Sequence, residues 1–433
     1  MIGDPVLVVQ PSSELEFFIP TVIIPSTVSS SNICRGLGLQ NIQSERLLKY
    51  RAAPCLTRRR MQEKENTAPF SHPALPQARK YNGKLFPLVV SPPAHLSHLS
   101  SDTAKAHAYL KQHQQVINSL LNEHSVLLFR GFSQETPQHF AEFVEDCLGL
   151  PNFPYVGGNA VRTAIVGDRV FTANESPPEK PIPFHHELAQ TPNFPSRLLF
   201  FCAWPAESGG ETPVLYSPAV YDELRHRCPE FLEKIESTGV RYSRVMTPDD
   251  RPHSAIGRGW RGTFAARSRE QAEIALREKG YDWEWLDDGE DAKLKEISPL
   301  LKAVHVADDG RKSFFNQLFA VWGGWRDEFN MPNNCITAGD GSPLDPDAMK
   351  IVADVMAAHR VAVPWRQGDV MYIDNMMAQH TLLPPKYSWL LSFNHIPLNV
   401  ILSPCIPTSV TQSCISDLAS KSVKDVLTDD AKS

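Results

Sequence analysis

The chain has 433 residues, enough for one large catalytic domain with extensions or for two ordinary domains. With 42% hydrophobic and 21% charged residues it has the composition of a soluble globular protein and the material for a sizeable core. A formal net charge of −6 argues against a nucleic-acid partner, and no apolar run nears the roughly 18–20 residues that a bilayer span requires. The longest candidates, Val6–Val9 with Phe17–Ile24 and Trp389–Leu402, are broken by Pro, Asn, His or Glu, so no membrane is expected either.

Residues 1–80 show no sustained period and many turn formers, the pattern of a disordered leader. Its Ser26, Ser29, Ser30, Ser31, Arg58, Arg59 and Arg60 suit an organellar transit segment, whereas Asp4, Glu14 and Glu16 do not. Eight cysteines run from Cys34 to Cys414 without a C-x-x-C pair, which points to incidental thiols in a reducing compartment. The cytoplasm is expected, with plastid or mitochondrion as the alternative.

Order is expected from about Tyr81. Leu110, Ile117, Leu120 and Leu121 predict a helix over Ser101–Asn122, capped by Ser101 or Asp102 and feeding an apolar strand, Ser125–Phe129. Thr136 before Pro137 starts another helix, running to about Leu148. Short apolar runs between Pro, Gly and Asn then predict strands at Ala164–Val166, Val170–Thr172, Pro183–Glu187, Leu198–Ala203 and Thr212–Tyr216. Helices follow from Ser217 to about Lys234, over Glu270–Lys279 and over Asp345–His359, with strands at Val304–Val306, Phe314–Phe315, Ala362–Pro364 and Val370–Ile373. Many short strands with inserted helices predict a mainly β fold, a barrel or jelly roll decorated by α-helices. Residues 383–433, rich in Pro, Ser, Thr and Val, do not continue this pattern.

The most informative segment is Pro183–Gln190. On a strand, residues i and i+2 face one side, so His185 and Glu187 would project together while His186 points away. One more imidazole completes a 2-His-1-carboxylate triad, which holds Fe(II) and leaves three adjacent coordination positions open. The best third ligand is His380, which follows an apolar strand and the Asp374-Asn375 corner. A zinc-protease H-E-x-x-H reading fails, because Gln190 stands where its second histidine must be.

At these residues the sequence resembles the taurine dioxygenase (TauD/TfdA) superfamily, most closely its plant clavaminate-synthase-like branch. The resemblance runs from about Lys80 to His380. It is carried by Phe86–Pro93, Val126–Phe132, Tyr155–Gly158, Phe171–Pro178, Phe184–Glu187, Gly209–Pro213, Ile256–Trp260 and Val363–Val370. It implies a double-stranded β-helix (jelly-roll) barrel over residues 81–382, followed by an atypical segment 383–433. The implied activity is an Fe(II)/2-oxoglutarate-dependent dioxygenase that hydroxylates or otherwise oxidises a small organic substrate, with O₂ as second co-substrate. His185, Glu187 and His380 fall on its iron ligands. Thr212, after Gly209-Gly210, falls on the threonine that binds a 2-oxoglutarate carboxylate.

There is one departure. The family places an arginine about a dozen residues after the distal histidine, where it pairs with the far carboxylate of 2-oxoglutarate. No arginine follows Arg366 here, and the first lysine after His380 is Lys386, a point charge without the planar fork. Either the last barrel strand is replaced, leaving a weakened or inactive enzyme, or the C-terminal sequence is an alternative product or a gene-model artefact. The rival function is therefore a non-catalytic jelly-roll protein with a binding or regulatory role. Asn174, Glu175, Asn316 and Asn375 are candidate pocket residues, for which turn and corner hydrogen bonds are the more ordinary role. Trp260, Trp322 and Trp325 are expected to pack.

Overall fold

The computed structural model describes residues 68–382, apart from 154–157, 160–161, 174–181, 207, 252–253 and 255, together with 399–402. The leader through residue 67 and Lys386 therefore lie outside the described residues. Packing already begins at Phe70, upstream of the boundary expected near Tyr81. Its ring is buried edge-on against Tyr109 and Phe132.

Asn82 and Gly83 both take positive φ, the conformation of a tight hairpin turn, and join β1 (Arg79–Tyr81) to β2 (Lys84–Phe86). β3 (Leu88–Val90) follows. The helix expected over Ser101–Asn122 is two. α1 (Thr103–Gln112) is capped by Asp102, which accepts from the Lys105 amide, and α2 (Gln114–His124) starts beyond a break at His113. Ser125, at φ 62°, turns the chain into β4 (Val126–Phe129). Thr136 caps α3 (Pro137–Glu142) by accepting from the His139 amide at 3.1 Å.

Next come β5 (Ala164–Val166), β6 (Val170–Thr172), β7 (Ile182–His185), β8 (Arg197–Cys202) and β9 (Val214–Tyr216). The single helix expected from Ser217 is split into α4 (Ser217–Arg227) and α5 (Pro229–Thr238). Pro229 drives the preceding Cys228 out of the helical region, to φ −146° and ψ 63°.

β10 (Val240–Met246) escaped the sequence reading although its residues alternate in burial. The buried Arg244 falls on its apolar phase, paired with Glu296 at 3.1 Å, and disguises the strand. The chain continues through α6 (Trp260–Phe264), α7 (Arg269–Glu278), β11 (Asp282–Trp285), β12 (Leu294–Ile297), β13 (His305–Val306) and β14 (Lys312–Ser313). It closes with α8 (Leu318–Gly324), α9 (Pro332–Cys335), β15 (Ile336–Ala338), α10 (Pro346–His359), β16 (Val370–Asp374), β17 (Ala378–Leu382) and β18 (Asn399–Leu402). Two expected strands are shifted or absent. Phe314 follows β14 into the core, and of the stretch near Ala362–Pro364 only Val361 makes a bridge, to Val214.

A seven-stranded sheet, β3-β4-β16-β8-β18-β6-β5, packs on a three-stranded sheet, β7-β17-β9. Five successive buried residues in β16 show why this layer is central. Val370 and Tyr372 face a cluster with Leu110, Ile117, Leu121 and Phe140, from the helices on one side. Met371 and Ile373 face Val214, Tyr216 and Ala378, from the smaller sheet on the other. A strand buried on both faces needs an unbroken apolar run. Among the described strands no hydrogen bonds join the two sheets into a closed barrel. β10 centres a separate four-stranded sheet with β11, β12 and β15.

The C-terminal segment supplies β18, which lies between β8 and β6. Val400 is in register with Phe201 on one side and Thr172 on the other.

Trp260 and Trp325 are buried, Trp260 donating to the Ala292 carbonyl, and Trp322 packs on the same core as Trp325. No described helix is long and apolar enough to cross a membrane. Cys147, Cys202, Cys228 and Cys335 are free thiols in apolar surroundings, and burial pushes Cys147 and Cys202 up to about 12. Peptide mapping after alkylation of the native protein at pH 8 should leave these four unmodified, and denaturation should expose them.

Candidate active site

His185 and His380 are directly opposed residues of the antiparallel strands β7 and β17. Opposed residues project to the same face, and the two rings lie 4.3 Å apart between centroids. Here the expected geometry needs correction. The strand predicted over Pro183–Glu187 ends at His185, so Glu187 is not its period-two neighbour on one strand. Glu187 instead arrives from the turn that follows, where Leu188 takes φ 57°, an uncommon conformation for a residue with a bulky side chain.

The three side chains nevertheless converge. Nε2 of His185 lies 3.6 Å and Nε2 of His380 3.7 Å from the same oxygen, Oε2 of Glu187. One ligand atom from each of the three residues falls within 4.8 Å of the others. These separations suit donors converging on one cation and are too long for hydrogen bonds. Nδ1–H of His185 donates to the Pro183 carbonyl at 2.9 Å, which leaves the Nε2 lone pair for a metal. The Nδ1 of His380 is buried and has no partner among the described residues. Two imidazoles and one carboxylate are the donor set of the iron facial triad.

Burial alone would raise the Glu187 carboxyl. The Arg162 guanidinium, followed by the two imidazoles, outweighs it and brings the group down to about 2. Burial, then the neighbouring His185, holds His380 well below the usual imidazole range. Both residues are thus in the protonation state that binds metal at neutral pH.

The turn carrying Glu187 is clamped from the corner just after β16. Asn375 Oδ1 accepts from the Glu187 amide at 2.8 Å, while its Nδ2 donates to the carbonyls of Glu187 at 3.0 Å and Pro195 at 2.7 Å. His186 points away from the imidazole pair, as the alternation implied. Burial holds it neutral, down to about 3, and Nδ1–H donates to the Asn375 carbonyl at 2.5 Å. Its Nε2 then accepts from the Ser217 hydroxyl at 2.8 Å. Asn375 and Asn316 both make corner hydrogen bonds, Asn316 to the Ala303 carbonyl and the Leu318 amide. Asn174 and Glu175 lie outside the described residues.

Thr212 is buried, and the Trp365 indole donates to its oxygen at 3.1 Å. That leaves the hydroxyl proton available to an anion. Val214 pairs with His380, and the Thr381 amide donates to the Pro213 carbonyl. Continuing this register places Thr212 on the face of the small sheet that carries His380.

Arg162 was not foreseen. Its Nη2 donates to Glu187 Oε1 at 3.1 Å and its Nη1 to the Ala173 carbonyl at 2.9 Å. A lone arginine ahead of a short strand has no pattern that would have singled it out.

The chain matches the family of taurine catabolism dioxygenase TauD, TfdA over residues 91–384. A clavaminate synthase-like protein of Arabidopsis thaliana is 40% identical over 311 residues, covering 72% of this chain and 93% of that protein. A dapdiamide synthesis protein of Enterobacter agglomerans is 25% identical over 312 residues, covering 69% of this chain and 89% of the relative. Among solved structures, a taurine dioxygenase from Burkholderia xenovorans superposes with a TM-score of 0.42 at 12% identity, covering 78% of this chain and 89% of that one. The family match and the His-Glu-His donor set together support Fe(II) as cofactor, with 2-oxoglutarate and O₂ as co-substrates. The chain belongs to the taurine catabolism dioxygenase TauD, TfdA family, on its plant clavaminate-synthase-like branch.

Proposed function

We propose that this protein is an Fe(II)/2-oxoglutarate-dependent dioxygenase that hydroxylates or similarly oxidises a small organic substrate, with His185, Glu187 and His380 as the iron ligands. The observation that carries this reading is the approach of both Nε2 atoms to one oxygen of Glu187, at 3.6 and 3.7 Å. Bound iron with its two co-substrates supplies the oxidising chemistry, and the protein supplies donor geometry and a dry pocket. The two packed sheets are the walls of a jelly roll, whose domain takes in residues 81–382 together with the packing from Phe70 onward and β18. Thr212 donates its hydroxyl to a carboxylate of 2-oxoglutarate, and Lys386 takes the role of the missing arginine as a single-point cation.

The test is turnover of 2-oxoglutarate without added substrate. Protein loaded with Fe(II) and given O₂ should release labelled succinate slowly but measurably. If iron binds and no succinate forms, the rival reading holds, a barrel that keeps its metal but serves in binding or regulation. The rival draws on the lack of any arginine beyond Arg366. Thr212→Val should weaken 2-oxoglutarate binding by about tenfold, the scale of one hydrogen bond to a charged group, while leaving iron affinity unchanged. Calorimetric titration of the metal-loaded protein checks both.

A further inference from the structure

We propose that Arg162 is a positioning residue that keeps Glu187 a one-pronged ligand and so preserves coordination positions for the co-substrate. The proposal rests on the iron-ligand reading above.

The two oxygens of Glu187 are divided between partners. Oε2 faces both imidazoles, at 3.6 and 3.7 Å, while Oε1 receives Nη2 of Arg162 at 3.1 Å. A carboxylate with one oxygen held by a guanidinium cannot swing that oxygen onto a metal without breaking a charge-assisted hydrogen bond. The guanidinium is itself fixed. Its side chain is 8% exposed, and Nη1 donates to the Ala173 carbonyl at 2.9 Å, just past the end of β6. Arg162 therefore spans from the β5–β6 edge of the large sheet to the turn beyond β7.

The charges point the same way. Before Lys386 is counted, Fe(II) and the guanidinium, less the Glu187 carboxylate, already leave a net positive charge, which favours the two carboxylates of 2-oxoglutarate. In a buried site an uncompensated charge is costly, so removing Arg162 should disfavour a dianionic co-substrate. β18 ties this arrangement to the C-terminal segment. It is the strand that joins β6, and with it the Arg162 anchor, to β8.

The experiment uses Co(II) in the full chain, whose visible absorption reports coordination number and geometry without turnover. In Arg162→Met, the protein should still bind Co(II), but its spectrum should change as Glu187 chelates through both oxygens. The affinity of that Co(II) protein for 2-oxoglutarate should fall about tenfold or more, the scale of lost support around a metal ligand. Arg162→Lys should recover part of that affinity, because an ammonium can hold Oε1 but cannot also reach Ala173 through a fixed plane. If Arg162→Met does not fold by circular dichroism, Arg162→Lys decides the matter through the same two readouts. A spectrum and a 2-oxoglutarate affinity equal to the parent's in the folded variant overturn the proposal. A parent protein that takes up no metal overturns the ligand reading, and this proposal with it.

Discussion

His380→Ala should cost more than about 100-fold in Fe(II) affinity and abolish succinate release, since loss of a ligand exceeds the 10–100-fold typical of the groups that merely support ligands. The position leaves little room for compensation. His380 is 4% exposed, and its only strand-opposed imidazole is His185, already a donor to the same point. His186, the nearest other imidazole in sequence, bonds the Asn375 carbonyl and the Ser217 hydroxyl and cannot turn without breaking both hydrogen bonds. The fold itself should survive, because Nδ1 of His380 has no partner among the described residues and the lost packing is against the rings of His185 and Phe200, 4.3 and 5.1 Å away between centroids. Metal titration with an unfolding curve on the same sample checks this. A variant with parental iron affinity and an intact fold would remove His380 from the ligand set.

Asn375→Ala should damage both stability and metal binding. The side chain is fully buried and makes three hydrogen bonds, two of them to the backbone of Glu187 itself. Its removal strands a buried amide and two buried carbonyls. Each orphaned buried group costs about 1–3 kcal/mol, and with partial relaxation a total near 3 kcal/mol is expected in urea unfolding. With its turn unclamped, Glu187 should also lose orientation, weakening Fe(II) by about tenfold or more. Cavity formation alone would lower stability and leave iron affinity unchanged in the fraction that remains folded. The pair of measurements therefore separates a clamp from a simple packing residue.

Much of the architecture was legible because local chemistry and tertiary demand agree. Asp102 and Thr136 cap the helices they were expected to cap. The apolar run Val370–Ile373 lies in a strand buried on both faces. Misreadings fall where one residue serves two demands. Pro229 is compatible with starting a helix and incompatible with continuing the one before it, so one expected helix became two. Arg244 occupies an apolar phase because Glu296, 52 residues on, compensates its charge.

The candidate metal-ligand types, the strand–corner–histidine context of His380 and the family likeness could be read from the residues alone, because these depend on side-chain chemistry and short-range spacing. How Glu187 reaches the imidazoles, from a turn held by Asn375 rather than along a strand, depends on long-range packing. The same holds for Arg162 and for β18. A guanidinium 25 residues before its carboxylate partner and a strand paired with residues about two hundred positions earlier leave no periodic trace. Such contacts arise from which strands become neighbours, and that is settled by packing of the whole core.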